Sequence, residues 1–126
     1  MTRFSDSIKP YVQQEVEQSQ QYREAGDIIK EFEFLENAHV IGQESTYYHV
    51  YAHWKMLQWG VRNRNINEIL GQLLRIVGAA TITAIGLVPH GNTGGSNVSP
   101  FQGMPIQPRL ATIISQAKYQ SKNTLV

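Results

Sequence analysis

The stretch ENAHVIGQESTYYHVYAH, residues 36–53, contains three of the four histidines of the chain, placed on either side of a glycine. Apolar residues recur at about helical spacing before and after this glycine, which predicts two helices. Gly42 is suited to end the first of these helices, and Ser45 is suited to cap the N-terminus of the second. The stretch therefore predicts an antiparallel helical hairpin with histidines on both arms.

The polar residues of this hairpin have spacings that place them on shared helix faces. Glu36 and His39 are three residues apart, so they lie on one face of the first helix. His49 and His53 are four residues apart and share one face of the second helix. Counting outward from the turn predicts that His39 faces His49. Glu36 then faces His53, one helical turn deeper.

A buried carboxylate or imidazolium is destabilising unless it is paired, neutralised or bound to a metal ion. Three imidazoles cannot all pair with one carboxylate, whereas a single cation satisfies all of these groups. Imidazole and carboxylate ligands suit zinc, iron, copper and manganese. The hairpin therefore predicts a transition-metal site, and its expected ligands are Glu36, His39, His49 and His53.

Two residues of the first helix extend this prediction. Counted from the turn that follows it, Glu15 lies at about the height of Glu36, so we expect Glu15 to be a further ligand. Tyr11, one turn away, is expected to hydrogen-bond to a ligand. His90 lies outside the hairpin and is a peripheral candidate. The ligand set leaves open a closed structural site or an open catalytic one, so a small non-haem metalloenzyme is one interpretation.

A second interpretation needs no metal ion. Histidine pairs at this spacing also occur by chance, and a buried histidine bonded to a glutamate is common in protein cores. The chain is then a helical protein-interaction module with a buried His/Glu network. Its docking surface would be the later irregular segment or the last helix. A homodimer is open under either interpretation, since Gly71 and Gly78 lie on one face of the fourth helix.

The remaining pattern predicts an all-α fold, an antiparallel bundle of four main helices in a single domain, residues 1–126. Asp27 is expected to cap the second helix, and Asn65 with Glu68 forms a capping-box pattern that opens the fourth. A glycine- and proline-rich strap, residues 87–108, follows, and Pro108 is suited to begin a C-terminal helix over about residues 109–122. The strap residues expected to pack against the helices are Val98, Phe101, Met104 and Ile106.

Composition excludes several classes of function. The net charge of +1 gives no electrostatic attraction to nucleic acid, and the absence of cysteine excludes thiolate ligands and iron–sulfur clusters. Residues 69–88 are long enough to cross a bilayer, but Gln72 and Arg75 make this costly, so membrane association is not expected. A largely buried core helix is expected instead. The N-terminal stretch is not typical of a signal peptide, so a cytoplasmic protein is expected.

The chain also resembles a family of small bacterial proteins known only as a domain of unknown function. The resemblance extends from about residue 4 to residue 110. It implies no reaction, substrate or cofactor, but it places the hairpin's glutamate and histidines within motifs that the family shares. The stretches that carry it include FLENAHVIGQ (34–43), HVYAHWKMLQWGVRNRN (49–65), LGQLLRIVGAATITAIG (70–86) and GNTGGSNVSPFQGMPIQP (91–108).

Overall fold

A computed structural model describes residues 3–82, 89–99 and 102–123, and every regular element within these ranges is a helix. The all-α prediction is therefore confirmed. Each of the first three helices packs against the next, and the last packs against the first two. The helices are α1 (Phe4–Glu24), α2 (Ile28–Gly42), α3 (Thr46–Arg62), α4 (Ile66–Ile82) and α5 (Pro108–Asn123).

The predicted helix starts are present in the structure. The Asp27 side chain accepts a hydrogen bond from the backbone N–H of Lys30 at 3.0 Å, which caps α2. Ser45 caps α3 in the same way, at 3.4 Å from the backbone nitrogen of Tyr48. Asp27 thus fixes where α2 begins, and Ser45, which follows the turn after Gly42, fixes where α3 begins.

Only one of the two hydrogen bonds of the predicted capping box forms at the start of α4. The Asn65 side chain accepts a hydrogen bond from the backbone N–H of Glu68 at 3.0 Å. The Glu68 carboxylate does not complete the box, because it accepts hydrogen bonds from Ser96 of the strap and from the Gln72 amide. The strap thus binds a side chain that would otherwise cap the helix.

The largest apolar cluster lies between α1, α2 and α5. It includes residues from all three helices and one aromatic ring from the start of α3, and Ile106 of the strap packs against it. Burial of this apolar surface holds α5 across the first helical pair. The buried members are Ile8, Val12, Ala38, Val40, Ile41, Tyr48, Leu110 and Ala117.

Helix α4 places its polar residues inward and its large apolar residues outward. Glu68, Gln72 and Arg75 are at most 9% exposed. The expectation of a largely buried core helix was therefore wrong for the described part of this segment, because the strap binds polar rather than apolar side chains of α4. None of the described helices is long and apolar enough to cross a membrane. The large apolar residues of α4 that are at least 50% exposed are Ile66, Leu70, Leu73, Leu74 and Val77.

The strap is fastened chiefly by side-chain amides. The Asn92 amide donates hydrogen bonds of 2.7 Å to two strap carbonyls, those of Ser99 and Gln102. The Gln43 amide of the α2–α3 turn donates to the Pro89 carbonyl at 2.7 Å and accepts from the Gly91 N–H. Of the apolar anchors expected from the sequence, Val98, Met104 and Ile106 are half-buried and Phe101 lies outside the described residues.

Candidate metal centre

Three histidine rings meet between α2, α3 and the strap. His39 comes from α2, whereas His49 and His53 lie one turn apart on α3, and all three are at most 5% exposed. One ring nitrogen from each lies within 4.8 Å of the other two. The helical hairpin therefore brings these three predicted ligands together.

The strap fixes the protonation of the His39 ring. Nδ1 of His39 lies 2.7 Å from the backbone carbonyl oxygen of Asn92. A carbonyl oxygen only accepts hydrogen bonds, so Nδ1 carries the proton. In the neutral ring the lone pair is then on Nε2, which points toward the other histidines.

Helix α4 fixes the protonation of the His53 ring. Nδ1 of His53 lies 2.6 Å from Oε1 of Gln72. The Gln72 amide nitrogen donates to a Glu68 carboxylate oxygen at 2.7 Å and to the Gly94 carbonyl at 2.8 Å, which sets the orientation of the amide. Gln72 therefore presents an acceptor to His53, and the lone pair of the neutral ring is again on Nε2.

The two Nε2 atoms of His39 and His53 consequently face each other at 3.0 Å. In neutral rings both are lone-pair acceptors, and no hydrogen lies between them. Two buried acceptors at this distance repel each other unless a cation lies between them or beside them. The cation is either a proton, which makes one ring an imidazolium, or a metal ion.

The surroundings of the three rings disfavour a protonated imidazole. Burial, together with the nearby His53 and His49, lowers the pKa of His39 well below 6.5. Burial also lowers the pKa of His53 to about 4 and that of His49 to about 3. The positive charge of Arg75 contributes to the lowered pKa of both His39 and His53. All three rings are therefore neutral at pH 7, the form in which imidazole binds a metal.

The strap backbone approaches the His39 ring closely at Gly94. This glycine has a φ of +87°, and a Cβ built on it would lie 2.7 Å from ring carbons of His39. Its N–H donates to the Asn92 side chain at 2.9 Å, and its carbonyl accepts from Gln72. A glycine is required here by both its conformation and its contact.

Sequence reasoning missed Asn92 and Gln72, although an amide within an apolar helix is itself a signal of a buried polar partner.

Glu36 does not join the group formed by the histidines. Its carboxyl hydrogen-bonds to the side chain of Thr93, and burial, opposed by that hydrogen bond, raises its pKa to about 7. Repulsion by Glu33 and Glu68 contributes to the increase. The sequence predicts that Glu36 faces His53, whereas in the structure Nδ1 of that ring donates to Gln72.

The other sequence-predicted residues also lie apart from the group. Glu15 is buried, but it forms an ion pair of 2.6 Å with Arg109 of α5. Tyr11 packs against the apolar cluster of α1, α2 and α5. His90 is exposed in a turn of the strap. Helix α5 covers this side of α1, which explains why Glu15 pairs with an arginine.

A cavity of about 240 Å³ adjoins the three histidines. Its opposite wall is formed by α4, and the apolar residues there include Leu74, Val77 and Ala79. Arg75 is also part of the wall, and its guanidinium donates to the Val98 carbonyl at 2.7 Å and to the Gly71 carbonyl at 3.1 Å. A small molecule in this cavity would contact the histidine rings and the α4 side chains together.

One of the comparisons with known proteins finds a family. A family model described as a protein of unknown function (DUF3703) matches residues 6–114, a range that contains all three histidines and the described residues of the strap. No curated protein and no solved structure matches the chain. The chain therefore belongs to the DUF3703 family of proteins of unknown function.

Proposed function

We propose that the protein binds a transition-metal ion through one nitrogen each of His39, His49 and His53. The observation that carries this proposal is the pair of Nε2 lone pairs that face each other at 3.0 Å. Two nitrogens bound to one metal ion at about 2.0–2.1 Å lie roughly 2.9–3.4 Å apart. The separation of the two rings is thus already that of two ligands of the same ion.

The hydrogen bonds behind the rings support the same proposal. Metal-bound histidines usually donate their second ring N–H to a carbonyl, a carboxylate or water, which orients the ring and increases its basicity. The Asn92 carbonyl serves His39 in this way, and the Gln72 side chain serves His53. Two of the three rings are therefore held in the tautomer and orientation that coordination requires.

Coordination by all three rings requires a small movement. Two nitrogens on one ion can be at most about 4.2 Å apart at a bond length of about 2.1 Å. The three ligand atoms lie within 4.8 Å of one another, so at least one ring moves inward when the ion binds. Glu15 and Glu36 stay outside this proposed set because Arg109 and Thr93 engage their carboxylates.

The type of ligand limits which metal ions can bind and which roles the bound ion can have. Three neutral imidazoles without thiolate favour zinc, iron(II), copper(II) or manganese(II) over copper(I). A closed structural zinc site has four protein ligands, whereas three leave at least one position for water or substrate. The cavity adjoins the same three rings. The activity class that this arrangement supports is therefore that of a small non-haem metalloenzyme, in which the metal activates a bound molecule.

Elemental analysis of untagged protein tests the proposal. We expect about one equivalent of metal in the wild type, and less than about a tenth in His39→Ala and His53→Ala, because each loses a ligand. His90→Ala is the matched control, since it removes an exposed histidine outside the group, and it should keep the metal. Saturating metal at about 100 times its Kd should stabilise the folded protein by about 2.7 kcal/mol.

The result that would contradict the proposal is equally definite. It is a wild-type protein that purifies without metal, takes up none on addition of zinc, iron(II), copper(II) or manganese(II), and melts at the same temperature with and without chelator. The histidines would then form only the buried polar network of the alternative interpretation. In that case an interaction function would be favoured.

A further inference from the structure

We infer that the cavity beside the histidines takes a small carboxylate with an apolar body, whose head group lies between the metal ion and Arg75. This inference rests on the proposed metal site. It adds the chemical class of the molecule that completes that site. Three features of the cavity support this inference: the charge of its wall, the apolar side chains in that wall, and its volume.

The charge of the wall favours an anion. Neutral imidazoles leave the full charge of a divalent ion uncompensated, and Arg75 adds a further positive charge. Arg75 is only 9% exposed, and its hydrogen-bond acceptors are backbone carbonyls. None of the described carboxylates lies within 4.0 Å of its guanidinium, and its buried Nε has no hydrogen-bond partner among the described residues. A buried guanidinium with no carboxylate in direct contact is available to pair with a ligand anion.

The nearest carboxylate of α4 does not neutralise this wall. Glu68 is the carboxylate whose negative charge acts on Arg75, and it keeps that charge while its oxygens accept hydrogen bonds from Ser96 and Gln72. It therefore offsets one positive charge, which leaves the charge of a divalent ion in excess. The carboxyl of Glu36 has a pKa raised to about 7, so it supplies at most part of a negative charge near neutral pH. The net charge of the metal-loaded wall is therefore positive.

The rest of the wall favours an apolar body of limited size. Leu74, Val77 and Ala79 of α4 line the cavity together with the rings and offer no hydrogen-bonding side chain. Leu74 and Val77 are also exposed to solvent, so they lie at the open side of the cavity. The cavity volume of about 240 Å³ is below the roughly 300–1,000 Å³ of sites for drug-sized molecules. A carboxylate with a short hydrocarbon chain or a single ring satisfies the charge, the apolar wall and the volume together.

Titration of the metal-loaded protein with a graded set of probes tests the inference. The probes are acetate, butanoate, hexanoate and the uncharged hexanamide, and binding is measured by calorimetry and by the spectrum of the cobalt(II)-loaded protein. We expect hexanoate to bind at least about tenfold more tightly than acetate, because apolar burial is worth about 0.8 kcal/mol per methylene. Hexanamide should bind at least about tenfold more weakly than hexanoate, because it lacks the charge.

Variants of the wall separate the contributions. Arg75→Gln should weaken hexanoate binding at least about tenfold, whereas Arg23→Gln, on α1 outside the cavity lining, should change neither hexanoate binding nor metal content. Because Arg75 also holds the strap, a second pair tests the charge without disturbing it. Val77 is 67% exposed, so Val77→Asp and Val77→Asn should both fold. The aspartate variant should bind hexanoate more weakly than the asparagine variant.

The outcomes distinguish this inference from the proposed function. Metal bound at one equivalent, with acetate, hexanoate and hexanamide binding equally or not at all, would overturn the inference and leave the metal site intact. Equal affinities of Val77→Asp and Val77→Asn for hexanoate would also overturn it. Failure of the wild type to bind metal would overturn the proposed function first, and this inference with it.

Discussion

The two interior regions of this small bundle are built on different principles. Between α1, α2 and α5 the interior is filled by aliphatic side chains such as Ile8 and Val12, which any similar shape could replace at modest cost. Between α2, α3, α4 and the strap, the interior contains a polar network, in which the rings of His39 and His53 donate hydrogen bonds to the Asn92 carbonyl and to the Gln72 side chain. The first region stabilises the fold, whereas the second holds rings in one orientation, which is typical of a binding site.

The largest effect is expected from placing a methyl group between the strap and the histidines. Gly94→Ala strains a residue at a φ of +87° and puts its Cβ 2.7 Å from the His39 ring. Backbone strain and overpacking are each worth roughly 1–3 kcal/mol, so we expect a loss of about 4 kcal/mol from the free energy of unfolding. Metal affinity should fall at least about tenfold, because the His39 ring is displaced. Urea unfolding and metal titration measure the two effects.

Gly26→Ala is the matched control for this change. Gly26 has a similar φ of +80°, but a Cβ there would have no atom within 4 Å. It should therefore show only the conformational strain, about 1 kcal/mol, with unchanged metal affinity. Equal losses of stability in the two variants would show that contact with the His39 ring contributes nothing.

A smaller effect is expected from acid in the metal-free protein. The pKa values of His39, His49 and His53 are lowered in the folded state, so below pH 6.5 the unfolded chain binds more protons and stability falls. Glu36 acts in the opposite direction, since its raised pKa makes stability fall as pH rises from 4.5 to about 7. Three histidines lower the stability as the pH falls, and only Glu36 raises it. We therefore expect the free energy of unfolding to decrease by roughly 2–3 kcal/mol between pH 6.5 and 5.5.

Unfolding of chelated protein by urea at a series of pH values measures this dependence. His49→Leu should reduce the slope by about half, because it removes one of the three histidines that take up protons on unfolding while the opposing effect of Glu36 stays. The prediction fails if the free energy of unfolding of the wild type is constant over this pH window, since the rings would then titrate alike in the folded and unfolded chain.

The smallest effect is expected in the apolar region. Ile8 is fully buried there, and Ile8→Val removes one methylene at a typical loss of about 1 kcal/mol. Metal affinity and the acid dependence should match the wild type, because no ring or ring partner is displaced. A change in metal affinity comparable to that of Gly94→Ala would mean that the two regions are not energetically separate.

Local sequence signals were enough to predict the hairpin and the meeting of its histidines. Capping by Asp27 and Ser45 involves residues only three apart, and the approach of His39 to His49 and His53 follows from one turn. Such signals could predict neither the positions of Glu15 and Glu36 nor the ring partners. The carboxylates bind Arg109 and Thr93, and the rings bind Asn92 and Gln72, across distances in sequence that helix periodicity does not determine.

The hydrogen bond from His39 to the Asn92 carbonyl joins the hairpin to a segment 53 residues later in the chain. A carbonyl that selects the metal-binding tautomer makes docking of the strap and binding of the ion two linked equilibria. By reciprocity, an ion that binds more tightly when the strap is docked would stabilise the docked strap by the same free energy that docking adds to metal affinity. Hydrogen exchange at the strap amides, such as that of Gly94, would then report whether the ion is bound.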